Sequence, residues 1–479
     1  METHMLKGLL RPAEPIPAGE LGRVHFAGIG GAGMSGIARI MLARGIAVSG
    51  SDAAPSARLD ELAGLGASVY VGHSSGHLGG LGAGDTLVVS SAIRPDNPEL
   101  AEATRRGMRI LHRAAALASV MAGRRAITIA GTHGKTTTTS MLTTVLRGCG
   151  ADPGYVIGGI LNQTGLGAED GTGPDFVAEA DESDGSFLLL SPDVAVITNV
   201  EADHLDNYAS LADIQAAFVT FGRRVSGMTL TCADDPGAEA VAVHLEPARV
   251  RRYGESPRAD YQLSDVRSHG MAVSFVVTAH RSPFGEILSH MTVDVPGHHN
   301  ALNAAAAFAA AVELGFAPPR VAAAIAGYQG AQRRMELKGE ADGVRVLDSY
   351  AHHPTELAAD LRAARELAAG GRVIAIFQPH LFSRTRIFAA DFGTALGLAD
   401  EAVVLDVYAA REDPEPGVTG QLVVDAVPGG RARFVPDRGN VTGVVAEIAK
   451  PGDVVLTMGA GDVTTLGPQL VETLKGRHG

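Results

Sequence analysis

The stretch Ala126–Ser140, AITIAGTHGKTTTTS, constrains this chain more than any other. Ile127, Thr128 and Ile129 make a β-branched run that predicts a strand buried in a parallel sheet. The run breaks at Gly131-Thr132-His133-Gly134. Lys135 and a row of threonines then open a helical pattern through Met141, Leu142, Val145 and Leu146. Strand, glycine turn, Lys-Thr and helix is the layout of a phosphate-binding loop. Glycines let backbone N–H groups approach phosphate oxygens, the helix start favours negative charge, the lysine neutralises phosphate, and the first hydroxyl can ligate Mg²⁺. The loop is short: Ile129 stands where the usual pattern has its first glycine. A solvated turn with a surface lysine is the plainer alternative, but the agreement of strand, glycines, Lys-Thr and helix argues for a site.

A second glycine turn lies near the start. Arg23–Ala27 reads as a strand and runs into Gly28-Ile29-Gly30-Gly31-Ala32-Gly33. A helical pattern from Met34 follows, then a strand ending at Ser51-Asp52. This is a βαβ unit with a dinucleotide fingerprint, and NAD is the obvious ligand. The same turn can hold the pyrophosphate of another nucleotide, a UDP-sugar included. Further strands end in small polar residues at His73 and at Ser91-Ala92, as ligand-binding strand ends do.

The phosphate loop is followed by two acid-rich strand ends. Asp175–Ala178 delivers Glu179-Ala180-Asp181-Glu182-Ser183-Asp184, and Asp193–Ile197 delivers Thr198 through Asp206, with His204 among three carboxylates. Carboxylates beside phosphate suit Mg²⁺, whereas a solvated acidic turn is the alternative. Residues 229–295 read as a β-rich sub-sheet or loops without chemistry. Asn300 and Asn303 share a helix face, where an amide can meet a base edge or cap the helix. Arg333-Arg334 precedes a third alternating region. Its strand ends carry Asp348 to Glu356, Gln378 to Arg386, Asp406 to Glu412 and Met458 to Asp462.

With 479 residues, 46% of them hydrophobic, the chain can bury about three cores. Its net charge of −13 argues against nucleic acid as a partner. Cys149 and Cys232 make no disulfide framework and suit a reducing compartment. No run of about 18 apolar residues and no signal pattern stands out, so the expectation is a soluble, cytoplasmic protein without membrane insertion.

GIGGAGMSGIA (28–38), GTHGKTTTT (131–139), EADESDGSF (179–187), TNVEADHLDNY (198–208), GHHNALNA (297–304), DSYAHHPTE (348–356) and QPHLFSRTR (378–386) together resemble the Mur ligases of peptidoglycan synthesis, and within them the alanine-adding branch. The resemblance runs in order from about residue 22 to 463. It implies an α/β fold of three domains after a lead-in (1–21): a Rossmann-like UDP-sugar domain (22–123), a central P-loop ATPase-like parallel sheet with a small extra β region (124–334), and a Rossmann-like C-terminal ligase domain (335–479) that closes over both. The implied reaction joins L-alanine to the lactyl carboxylate of UDP-N-acetylmuramate with ATP and Mg²⁺. A branch that adds a peptide to the same sugar nucleotide is the near alternative, an NAD-dependent dehydrogenase the distant one.

Carried over by the same resemblance, the ATP site is Gly131, Thr132, His133, Gly134, Lys135, Thr136, Thr137, Asn300, Arg333 and Asp348. The metal ligands are Thr136, Glu179 (preferred to Glu182) and His204. The UDP-sugar site is Gly28, Gly30, Gly31, Ala32, Gly33, Met34, Ser51, Asp52, His73, Ser91 and Ala92. Tyr350, His352 and Arg384 line the amino-acid and muramate region, and Lys135, Arg333, His352 and Arg384 are the catalytic set. Two departures stand out. Leu381 occupies a position where many relatives carry arginine. No lysine occurs between Lys135 and Lys338, so the carbamylated lysine of several Mur ligases has no counterpart here.

Overall fold

A computed structural model describes residues 14–204, 207–410 and 412–478. Most of the expected lead-in (1–13), Leu205 and Asp206 of the acidic stretch, and Arg411 lie outside the described residues. The chain divides into two compact units. One comprises Met1–Ser264, Val276–Ser289 and Asn303–Tyr328, the other Asp265–Phe275, His290–Leu302 and Gln329–Gly479.

The first unit begins with five parallel strands, β1 (Val24–Ala27), β2 (Val48–Asp52), β3 (Ser68–Val71), β4 (Thr86–Val89) and β5 (Arg109–His112), in the order 3-2-1-4-5. β1 and β4 are buried throughout, as central strands of a parallel sheet are, while β3 at the edge is largely exposed. Strand order reverses between β1 and β4, so the glycine turn after β1 sits at the point where such sheets bind ligands. Helix Ala32–Ala43 starts at that turn. A side chain at its Gly36 would lie 3.1 Å from Ala168 and 3.3 Å from Val156, so the absent Cβ lets the helix settle on the following sheet. Phe26, Ile37, Val156 and Phe176 belong to one continuous core.

That following sheet has ten strands. The site depends on β6 (Arg125–Ala130), β9 (Asp175–Glu179) and β10 (Val194–Ile197). β9 and β10 flank β6, both parallel to it, with Ile129 opposite Glu179 and Ala130 opposite Ile197. Parallel pairing in this register brings the phosphate loop, Glu179 and Thr198 to one sheet edge. The β-rich stretch expected as a sub-sheet or loops instead extends this sheet through five more strands, from Met228–Cys232 to Ile287–Val293.

The second unit carries a six-stranded sheet. Glu336–Ala341 forms an antiparallel edge, and Val344–Ser349, Val454–Met458, Val373–Phe377, Glu401–Val404 and Ala432–Phe434 follow in parallel. Ser349 and Phe377 both stand opposite Met458, so the polar segments after these strands share one edge. His353 caps helix Pro354–Ala368, with Glu356 closing a capping box.

Candidate active site

The phosphate loop is built around positions that only glycine fills. Gly131 has φ +135°, and a Cβ there would lie 2.1 Å from Thr198 Oγ1. Gly134 has φ +81° and begins helix Lys135–Gly148 with no side-chain cap, which leaves the first helical N–H groups to an anionic acceptor. The loop is clamped from the end of β10. Asn199 Oδ1 accepts the His133 N–H at 2.7 Å, Asn199 Nδ2 donates to the His133 carbonyl at 3.1 Å, and Thr198 Oγ1 donates to the same carbonyl at 2.5 Å. Asn303 Oδ1 accepts from Thr138 Oγ1 at 3.2 Å.

Lys135 is held among carboxylates. Its Nζ lies 2.9 Å from Glu182 and donates to the Gly131 carbonyl at 2.6 Å. Burial would lower the lysine, but Glu182, Asp181 and Glu179 outweigh it and hold the ammonium above its ordinary range. Burial pushes Glu182 up to about 7 despite Lys135. Glu182 thus takes the place beside the lysine that a phosphate would occupy. Glu179 accepts the Gly158 N–H at 2.6 Å. A Cβ on Gly158 would meet Glu179 at 2.9 Å, and one on Gly159 would meet Thr136 at 3.0 Å. His204 Nε2 lies 3.4 Å from Asp203 and 3.7 Å from Glu182, on a backbone at φ +54°. Hydroxyl and carboxylate oxygens such as those of Thr136 and Glu179 are the donor types that a hard divalent cation bound jointly with phosphate oxygens takes.

The first glycine turn adjoins the same acids. Asp52 Oδ2 accepts the Gly30 N–H at 2.9 Å and so fixes the turn. Arg113 Nη1 would lie 3.0 Å from a Cβ on Gly33, and Arg113 Nη2 donates to Asp181 at 2.9 Å. Ser91 donates to Asp184, and His112 Nε2 lies 3.5 Å from the same carboxylate.

In the second unit, the Arg333 guanidinium lies 4.8 Å over the Tyr350 ring and 3.4 Å from Asp348. Thr457 and Thr464 donate to Asp348 at 2.7 and 2.6 Å. His352 Nδ1 is 3.0 Å from the Tyr350 carbonyl. A carbonyl only accepts, so Nδ1 carries the hydrogen and Nε2 is the basic nitrogen. Arg333 and Leu381 both adopt left-handed backbone, at φ +60° and +70°.

Three segments match the Mur ligase descriptions in chain order: "Mur ligase family, catalytic domain" over residues 23–125, "Mur ligase middle domain" over 129–311 and "Mur ligase, glutamate ligase domain" over 333–461. The UDP-N-acetylmuramate–L-alanine ligase of Kineococcus radiotolerans is 58% identical over 466 residues, covering 95% of this chain and 97% of that one. This chain belongs to the Mur ligase family. The enzyme of the same name from Thermobifida fusca is 56% identical, covering 97% and 99%. Among solved structures, the UDP-N-acetylmuramate-alanine ligase of Thermotoga maritima superposes with a TM-score of 0.80 at 30% identity, covering 95% and 99%. A murein peptide ligase from Psychrobacter arcticus gives 0.69 at 27%, covering 95% and 98%. Membership in this family removes the ground for an NAD-dependent dehydrogenase.

In this Mur ligase several expected contacts take another form. Met34 turns into the core, because position 34 lies on the buried face of its helix. Ser51 is fully buried and its hydroxyl donates to Glu99, so it does not face a ligand. Asp348 is likewise buried and lies against Arg333. The Asn300 amide donates to the Pro296 carbonyl at 2.7 Å. Sequence reasoning gave no role to Thr198, Asn199, Gly158, Gly159 or Arg113. The Gly158-Gly159 pair was the one local signal, since paired glycines after a strand mark close approach of other groups.

Proposed function

We propose that this chain uses ATP to join L-alanine to the lactyl carboxylate of UDP-N-acetylmuramate, giving UDP-N-acetylmuramoyl-L-alanine, ADP and phosphate. The single observation behind it is Lys135, a half-buried ammonium at the start of an uncapped helix, set among Glu182, Asp181 and Glu179. High identity along nearly the whole chain to relatives named for this reaction supports the choice of substrates.

A carboxylate and an amine do not condense in neutral water unless the acid is activated. The lactyl carboxylate attacks the γ-phosphorus of ATP in line, and ADP leaves. The amine of alanine then attacks the acyl phosphate and phosphate departs. The first step brings an anion to a polyanion, so catalysis rests on positioning and positive charge. Lys135 exchanges Glu182 for phosphate oxygens, Arg333 adds a second cation, and the loop N–H groups hold the phosphates. Thr136, Glu179 and His204 would hold Mg²⁺, which supplies further charge neutralisation. His352, with Nε2 basic, is the base we assign to the amine. The pyrophosphate of UDP rests on the turn from Gly28 to Gly33, and Tyr350 and Arg384 serve the amino-acid and muramate side.

We place the domain limits at 22–123, 124–334 and 335–479. Among the described residues no helix is long and apolar enough to cross a membrane, and the substrates place the reaction in the cytoplasm. The test is phosphate release from ATP and UDP-N-acetylmuramate with each amino acid, and with a tripeptide, in turn. Release with alanine is expected. Release with the tripeptide alone would assign the recycling reaction instead.

A further inference from the structure

The front sheet carries a buried acid to which the reaction above gives no task. Glu99, in the first turn of helix Pro98–Arg105, is fully buried. Its carboxylate meets Ser51 Oγ at 2.6 Å, His77 Nδ1 at 2.9 Å, His73 Nδ1 at 3.3 Å and the Ser74 N–H at 3.4 Å, with His25 Nε2 at 3.7 Å. Asn97 caps the helix and accepts the Glu99 N–H at 2.9 Å, so the acid is fixed from its own backbone. Burial would raise the carboxyl, but His25, Ser51 and His77 outweigh it and hold it at about 2. Glu99 is therefore an ionised acceptor.

Hydrogens around such an acceptor can be counted. Ser51 has one hydroxyl hydrogen, and its shortest contact directs it to Glu99. Ser51 Oγ also lies 2.9 Å from His73 Nδ1, and with its hydrogen already placed, Nδ1 must be the donor. His77 Nδ1 faces the carboxylate itself and must donate as well. In its neutral form each ring is thus the Nδ1–H tautomer, whose Nε2 accepts. The two side chains are 25% and 19% exposed, and the His77 ring stacks flat on Tyr70 at 4.4 Å. Ser51 and His73 follow neighbouring strands, β2 and β3, on the sheet whose glycine turn we assign to the UDP pyrophosphate.

We infer that Glu99 is a positioning residue of the sugar-nucleotide site: it orders the hydrogens of Ser51, His73 and His77 so that two imidazole Nε2 atoms serve as acceptors for the ribose hydroxyls and the uracil N3–H of a uridine nucleotide. The inference rests on the assignment of this sheet to UDP.

The experiment is ¹⁵N imidazole spectroscopy of the full chain with and without UDP, with calorimetric titration of UDP and steady-state kinetics. In the wild type, His73 and His77 should appear as Nδ1–H rings, and UDP should shift both. Glu99→Gln, which supplies one acceptor and introduces a donor, should lose that pattern. It should raise the UDP Kd and the KM for UDP-N-acetylmuramate at least tenfold and leave the KM for ATP within twofold. Ser51→Ala should release His73 while His77 keeps its tautomer. Nε2–H rings in the wild type, or UDP bound by Glu99→Gln as tightly as by the wild type, would overturn the inference. Failure of the wild type to bind UDP would instead overturn the assignment of the sheet. If Glu99→Gln does not fold, the wild-type and Ser51→Ala spectra decide.

Discussion

Replacing Lys135 with alanine separates what this lysine does for folding from what it does for chemistry. Truncation leaves Glu182 buried without its partner, 2% exposed and near Asp181 and Glu179. Stranding one charge of a buried pair costs about 3–5 kcal/mol. Glu182 avoids part of that cost by taking a proton, because burial places it at about 7 even beside Lys135, and loss of the lysine raises it further. Its folded value is raised, so the native state is favoured at low pH and loses that advantage as pH rises through the folded value. We therefore expect Lys135→Ala to lose about 2–3 kcal/mol at pH 8 and clearly less at pH 6. At roughly 2–4 °C per kcal/mol for a domain of this size, the melting temperature should fall by about 5–10 °C at pH 8. Phosphate release should fall by about 10²–10³-fold, as for other lost charge-stabilising donors. The double variant Lys135→Ala/Glu182→Gln removes the stranded charge, so it should regain the melting temperature and remain inactive. Thermal melts at the two pH values and phosphate release on both proteins test this. Activity restored in the double variant, or a melting loss independent of pH, would refute the reasoning.

Gly131→Ala puts a Cβ 2.1 Å from Thr198 Oγ1 on a backbone at φ +135°. ATP affinity measured by titration should fall at least tenfold while UDP affinity stays. Glu179→Gln should move the Mg²⁺ activation curve to higher concentration. An unchanged curve would transfer the ligand role to Glu182. Asp360 is half-buried, with Ser349 donating to it, and desolvation pushes it up to about 7. Its raised value means that stability falls as pH rises from about 4 to about 7. Asp360→Asn should therefore melt higher than the wild type at pH 8, with the gap closing at pH 5.

What the sequence revealed followed from periodicity and spacing. The β-branched runs, the glycine turns and the acids at strand ends lie on the edges expected of them, because parallel register carries strand ends to one side. Residue types also pointed to Lys135 and Glu179. The hidden part concerns partners far apart in the chain. Nothing in TNVEADH signals that Asn199 holds the loop 66 residues earlier, and nothing near Ser51 signals a buried acid 48 residues later. Met34 and Asp348 show a second way in which packing stays hidden. Their neighbours belong to a site, but helix phase and a buried strand end turn these two side chains inward. A motif marks a stretch of backbone, and packing decides which side chains within it reach solvent.

The guanidinium of Arg113 has a thermodynamic consequence. It rests against Gly33 of the first glycine turn and grips Asp181, two residues beyond Glu179 at the end of the strand beside the phosphate loop. Negative charge arriving at either turn competes for the same cation, and the loser's field is felt by the remaining acids and Lys135. On the function proposed above, such competition would make the two nucleotides mutual effectors, and reciprocity requires that whatever factor one imposes on the other's affinity be returned in full.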